Sequence, residues 1–285
     1  KLPHSLSTFY PTYFRTNKIF KTDYDSKTKH FRIQPLSGPI QLNMAEDAVD
    51  DMYIGCTERM MRRVKDTFMK IERKNEVFAK AWKNAENCAS EKLRHQHKNG
   101  TLTKDHIQAI CLYTSNYITV SNRKFYDLFN TVTRTGRKTY TTTKFEFHAF
   151  HFFLTSAVQT LKNNQSSGTI KPTYRRTNSA FEGKVNKIMR FGSFSSSSFR
   201  TDLTHFGNKS CFEIWTNLGA SLGEYSRISN ELEVLIPPYE MFKITEIVKG
   251  KKLKKRKGLD DCKVLFILKS AGVHSNLNCQ NIFHS

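Results

Sequence analysis

The chain has 285 residues, 38% of them hydrophobic, with 22 phenylalanines and a formal net charge of +21. Such length and apolar content exclude a disordered polymer and allow one large domain or two small ones around a sizeable core. No apolar run approaches the ~20 residues of a bilayer-spanning helix, and the charge excess favours acidic partners: nucleic acid, glycosaminoglycan or anionic lipid.

Residues 1–40 are basic and aromatic without a clear period, and read as an extension with little regular structure. Lys1-Leu2-Pro3-His4 carries no signal-peptide core, so a secretory signal is expected to have been removed or never to have existed. Met61, Val64, Phe68 and Ile71 follow helical spacing, as do Phe78, Ala81, Trp82 and Ala85, which predicts surface helices with these residues on the core face. Asp105 is the expected N-cap of a helix carrying Ile107, Ile110 and Cys111. Phe147, Phe150, Leu154, Ala157, Val158 and Leu161 predict a long amphipathic helix. Within it His148 and His151 stand three apart, near Glu146. No third and fourth ligand has fixed spacing to them, so packed core histidines are expected, and no metal.

Asn163-Asn164-Gln165-Ser166-Ser167-Gly168 reads as a polar linker, and beyond it strands dominate. TYRR, IMRFGSF, CFEIWTN, EVLI, FKITEI and KVLFIL are short, rich in β-branched or aromatic residues, and separated by Gly, Asn or Ser. Helices first and strands second predict an α+β fold, with a helical part over about 41–165 and a β part over about 166–285. The densest charge run, Lys249 to Lys257, lies between two strands and predicts a solvated hairpin loop, with polyanion binding as a second role.

The six cysteines, at 56, 88, 111, 211, 262 and 279, permit disulfides. The lack of any CxxC pair argues against a zinc ribbon or a thioredoxin-like site. Glycosylation triplets at Asn99, Asn164 and Asn208 lean the chain toward the secretory route. Neither a GxGxxG turn nor a Walker loop occurs, so a nucleotide is not expected to bind in the Rossmann or P-loop manner.

The chemistry concentrates near the C-terminal end, in Asn230-Glu231-Leu232-Glu233-Val234-Leu235-Ile236-Pro237-Pro238-Tyr239-Glu240. Extended backbone would put Glu231 and Glu233 on the same side of the chain. Two carboxylates so close suit a site that stabilises a positive transition state and receives a cationic substrate. The plain alternative is a solvated charged turn before a strand. Upstream, Thr173–Thr177 reads as a strand carrying Arg175, and Arg190–Ser198 as a strand ending in the hydroxyls of Ser196 and Ser198.

Arginine, then Ser-x-Ser, then Glu-x-Glu resembles the arginine–serine–glutamate signature of the mono-ADP-ribosyltransferases. The phrases RFGSFSSSS, FEIWTNLGA and ELEVLIPPYE, with NMAEDAVDDMYIGC and FEFHAFHFFLTSAVQTL before them, resemble the vertebrate arginine-specific ecto-enzymes, from about Leu42 to Cys279. The resemblance implies a domain over 41–285 whose β core has two sheets, with NAD, the co-substrate, in a cleft between them. It implies transfer of ADP-ribose from NAD to arginine side chains of acceptor proteins by an extracellular protein, secreted or glycolipid-anchored, expected as a monomer. Glu233 matches the catalytic position and Glu231 the position that selects arginine. Arg175 would contact the pyrophosphate or nicotinamide ribose, Ser196 would buttress the ribose and Glu233, and Ser198 would support them from behind.

One disulfide, Cys56–Cys279, is implied by the same resemblance. A second family bridge has no cysteine here at either end. Cys211 and Cys262, both on predicted strands, are candidates to replace it. Two departures stand out: Arg176 where many relatives have a small residue, and Leu232 where acidic residues are common. The competing expectations are an NAD glycohydrolase on the same fold, and a secreted non-enzymatic module holding heparan sulfate or nucleic acid through 1–40 and 249–257.

Overall fold

The computed structural model describes residues 20–25, 30–35, 38–96, 100–142, 144–165 and 171–283. Part of the segment read as having little regular structure forms strands. β1 (Phe20–Asp25) pairs antiparallel with β2 (His30–Pro35), and β3 (Ile40–Gln41) runs parallel beside Phe181–Glu182.

The helical part begins with α1 (Thr57–Arg63), a π-helical turn (Val64–Phe68) and α2 (Met69–Glu72). The wider π turn shifts the helical phase, so Met60, Val64, Phe68 and Met69 are buried. Ile71, expected on the core face, is 50% exposed for the same reason. Next come α3 (Glu76–His95), α4 (Lys104–Tyr113), α5 (Phe125–Thr135), α6 (Arg137–Tyr140) and α7 (His148–Asn164). Phe78, Ala81, Trp82 and Ala85 of α3 face the core as expected. The cap of α4 is Thr103, not Asp105: its hydroxyl accepts from the His106 amide, and the His106 ring accepts from the Thr103 amide. Asp105 lies in the first turn, where its charge favours the helix dipole. Nor is α7 amphipathic through its first turns, since every residue from His148 to Val158 is buried. It packs against α4 and the π turn, so both sides of its apolar pattern are covered.

His148 stacks on Phe68 with ring centres 4.2 Å apart and pairs through Nε2 with the Tyr140 carbonyl. His151 Nδ1 meets the Tyr53 hydroxyl at 2.7 Å. Burial pushes the two imidazoles down to about 4 and about 3, so both are neutral packing groups at physiological pH. Among the described residues no group of three or more His, Cys, Asp or Glu is placed to hold a metal ion.

Glu72 accepts from the Ala149 amide at 2.7 Å, at the N-terminal end of α7. Burial pushes its carboxyl up to about 8 from an ordinary 4.5, against the lowering effect of the α7 amides. A carboxyl raised in this way contributes stability that is complete below the unfolded value, about 4.5, and is lost as pH rises through about 8. Glu72→Gln retains an acceptor for the amide and removes the ionisation. Its melting temperature should fall less than the parent's between about pH 5 and about pH 9, the gap widening toward the alkaline end. Parallel pH profiles for the two proteins would contradict this assignment.

The β part comprises β4 (Thr173–Thr177), β5 (Phe181–Glu182), β6 (Ile188–Met189), β7 (Ser195–Ser198), β8 (Ser210–Trp215), β9 (Ala220–Ser221), β10 (Glu233–Ile236), β11 (Glu240–Lys249) and β12 (Val264–Val273), and a short α8 (Gln280–Phe283) follows. Eight strands bond in the order β6-β11-β12-β8-β4-β7-β10-β9, parallel only between β12 and β8. The α+β architecture is as expected. The two anticipated sheets are two halves of this order, joined between β4 and β7 by one residue pair, Tyr174 opposite Ser198. Phe194, Leu235 and Ala220 of the β7-β10-β9 half pack into the helical core, whereas Phe212, Phe242 and Phe266 build a separate core in the other half.

IMRFGSF is not one strand. Gly192 takes φ +70°, and a Cβ there would stand 2.5 Å from that of Ala45, so the chain turns tightly and β7 starts only at Ser195. Three disulfides close the structure: Cys56–Cys279 as the resemblance implied, Cys88–Cys111 joining α3 to α4, and Cys211–Cys262. Cys262 lies in the turn before β12, not on a strand.

Candidate active site

A cleft opens where β4 and β7 are held by that single pair. Arg175, Ser196, Ser198, Glu231 and Glu233 all line it. The five sequence-predicted residues therefore share one wall-to-wall site.

Strand geometry places most of them. Ser196 and Ser198 are two apart on β7 and so face the same way, opposite Leu235 and Glu233 of β10. Arg175 Nη1 donates to the Ser196 carbonyl at 2.6 Å, bridging the two halves of the sheet beside their one backbone pair. Arg134 of α5 reaches the same region and donates to the Phe191 carbonyl. Burial, and then the neighbouring Arg175, push its guanidinium below the usual range.

Arg176 has a different task from its neighbour. Both its terminal nitrogens bond Asp261, at 2.8 and 3.1 Å, while further donors reach the carbonyls of Thr201 and Gly258 at 2.8 and 2.6 Å. A side chain so fully engaged acts as a tie between β4 and the loop before β12.

Glu-x-Glu is not extended. Ser229–Glu231 form a 3-10 turn, Leu232 adopts the left-handed conformation at φ 48° and ψ 50°, and Glu233 is the first residue of β10. A branched non-glycine side chain in that region carries strain of about 1–3 kcal/mol, which the surroundings must offset. They do so through the chain that follows β7. Ser198 Oγ donates to the Glu231 carbonyl, Arg200 donates to that of Asn230 at 2.9 Å, and the Phe199 amide donates to that of Leu232 at 3.2 Å. The Leu232 side chain is half exposed. Turn and strand together still direct both carboxylates into the cleft, by a route that alternation alone does not describe.

The two carboxylates differ in setting. Glu233 is buried, and its Oε2 accepts from Ser226 Oγ at 2.9 Å. Glu231 sits nearer the mouth, with His205 Nε2 at 4.0 Å. Ser226 escaped the sequence reading, because nothing in GEYSRISNE marks which hydroxyl turns inward. Its loop is docked on the helical part. Lys92 donates to the Ser226 carbonyl at 3.0 Å, Thr114 Oγ1 accepts from the Arg227 amide at 3.0 Å, and Tyr225 bonds Gln96 at 3.0 Å. The Cys88–Cys111 bridge fixes the two helices that supply those partners. Tyr126 and Asn130 of α5 also reach the cleft from a helix too remote in sequence to be linked to the glutamates by spacing.

Chemically the site combines cations, Arg175 and Arg200, with two carboxylates, several hydroxyls and the aromatic rings of Tyr126 and Phe206. That set matches a dinucleotide with anionic phosphates and a cationic nicotinamide, and needs no glycine-rich turn.

The profile of NAD:arginine ADP-ribosyltransferases matches residues 42–259. Mouse ecto-ADP-ribosyltransferase 4 is 30% identical over 249 residues, 85% of this chain and 76% of the relative. Human ecto-ADP-ribosyltransferase 5 is 32% identical over 214 residues, 72% of each chain. Mouse GPI-linked NAD(P)(+)–arginine ADP-ribosyltransferase 1 is 30% identical over 256 residues, covering 85% and 73%. The crystal structure of the eukaryotic mono-ADP-ribosyltransferase ART2.2 superposes with a TM-score of 0.68 at 26% identity, over 85% of this chain and 99% of that one. A substituted form of ART2.2, solved in complex with NAD, matches at the same TM-score of 0.68 and 25% identity. The chain belongs to the NAD:arginine ADP-ribosyltransferase family.

Proposed function

We propose that the protein is an extracellular NAD+–protein-arginine mono-ADP-ribosyltransferase, with residues 41–285 as its catalytic domain and residues 1–40 as a basic extension. The observation that carries this reading is the convergence of Glu231 and Glu233 on one cleft with Arg175, at different depths and with different partners. NAD is the co-substrate, and arginine-bearing proteins are the acceptors. The ecto- and GPI-linked names of the relatives and the disulfides support a secreted or glycolipid-anchored form.

In this mechanism Arg175 binds the pyrophosphate or the nicotinamide ribose, and Ser196 steadies the ribose and Glu233. The bond between nicotinamide and ribose breaks with its electron pair leaving on nicotinamide, and positive charge develops on the sugar. Glu233, already oriented by Ser226, accepts a ribose hydroxyl hydrogen bond and stabilises that charge. The acceptor guanidinium is protonated in water and a poor nucleophile. Glu231 holds it by paired hydrogen bonds and takes its proton as nitrogen attacks the anomeric carbon. Ser198 acts at one remove, by fixing the Glu231 carbonyl.

The division of labour is testable at Glu231. Glu231→Gln should lower transfer to an arginine analogue by ~100-fold or more while hydrolysis of NAD stays measurable, because water needs no guanidinium clamp. Transfer and hydrolysis falling by the same factor would remove Glu231 from the acceptor site.

A further inference from the structure

We propose that the lobe between β11 and β12 is a binding site for a sulfated glycosaminoglycan. This partner is independent of the catalytic reading. Lys249, Lys251, Lys252, Lys254, Lys255 and Lys257 are all exposed on the lobe, which is a 3-10 turn over Gly250–Lys255 with its flanks. Residues three apart eclipse in a 3-10 turn, so Lys251 and Lys254 form one row and Lys252 and Lys255 another. Leu253, between them, points inward and is 2% exposed.

The lobe is anchored as well as charged. Leu253 and Leu259 pack with Val248 and Leu265 around the Cys211–Cys262 bridge. Arg176 holds Asp261 and the Gly258 carbonyl from β4. The nearby carboxylates are otherwise engaged: Glu246 and Glu213 lie 3.2 and 3.8 Å from Arg256, the one partly buried cation of the run. Asp260 is the remaining exposed acid. Among the described residues none of the six lysines forms a salt bridge. A cationic surface held rigid by its own core loses little freedom when a polyanion binds.

The occupant follows from what the lobe lacks. Residues 249–263 contain no aromatic side chain on which a base could stack. Their leucines are buried, so no apolar wedge is available for a lipid surface. Disulfides place the protein in an oxidising compartment, where the abundant linear polyanion is sulfated polysaccharide.

The test uses the full chain and heparin as probe. One variant carries alanine at Lys251, Lys252, Lys254 and Lys255. A control with the same charge change carries alanine at the exposed Lys65, Lys70, Lys74 and Lys83 of the helical part. Melting temperatures identify any misfolded protein. At about 0.15 M salt the lobe variant should bind heparin at least ~10-fold more weakly, with a flatter dependence of log K on log salt, while the control stays within ~2-fold of the parent. Equal weakening of both variants would reduce the effect to net charge and overturn the site. Tighter binding of duplex DNA or of anionic phosphatidylserine vesicles than of heparin would overturn the choice of partner.

Discussion

Glu233→Gln is expected to lower arginine transfer and NAD hydrolysis together, each by at least ~100-fold, or about 2.7 kcal/mol of barrier. The carboxylate acts on the sugar cation before any acceptor matters, so loss of its charge affects every product. Glutamine is the informative replacement because Glu233 is buried and accepts from Ser226 at 2.9 Å, a bond that the amide oxygen can keep. The variant should therefore melt near the parent temperature. A variant that folds and still cleaves NAD at more than about a tenth of the parent rate would refute the role given to this residue.

The largest effect on stability is expected at Arg190. Its guanidinium and the Asp50 carboxylate are both wholly buried and 2.5 Å apart. Arg190 also donates to the carbonyls of Met44 and His274, each at 2.7 Å. Asp50 accepts from the amides of Asn276 and Leu277 at 2.9 and 3.1 Å. One ion pair thus joins the start of the domain, the segment after β6 and the C-terminal segment that ends in the Cys56–Cys279 bridge. Arg190→Ala leaves a buried carboxylate without its cation and should cost about 3–5 kcal/mol in denaturant unfolding. Lys80→Ala, which breaks an exposed pair with Glu76 on α3, should leave the unfolding midpoint almost unchanged. Equal costs in the two variants would mean that the buried pair does not lock these segments.

Much of this was readable from residues alone. The α+β order, the face of α3 carrying Phe78, Ala81, Trp82 and Ala85, and the packed histidines of α7 all follow from local pattern. The grouping of Arg175, Ser196 and the two glutamates is legible through the family resemblance, and their order in sequence survives in space because β4, β7 and β10, which carry Arg175, Ser196 and Glu233, are neighbours in the sheet. Other features depend on tertiary context. A π turn shifts the phase and exposes Ile71. Burial on all sides removes the polar stripe from the first turns of α7. Thr103 displaces Asp105 as cap because its hydroxyl, two residues earlier, reaches the His106 amide. Left-handed Leu232 replaces the extended geometry expected between the two glutamates, and Gly192 breaks the strand read through Phe191. Arg176, set apart as a departure from the family pattern, proves to be a tie to Asp261. Apart from the α4 cap, whose partner is three residues away, no local signal distinguishes these outcomes.

The products that the cleft makes from NAD decide its chemistry. Purified protein incubated with NAD labelled in the adenine and an excess of an arginine analogue should yield chiefly ADP-ribosyl-arginine, with nicotinamide released in equal amount. Free ADP-ribose as the sole labelled product would make the protein an NAD glycohydrolase. Unconsumed NAD from correctly folded, fully disulfide-bonded protein would contradict catalysis at this site altogether.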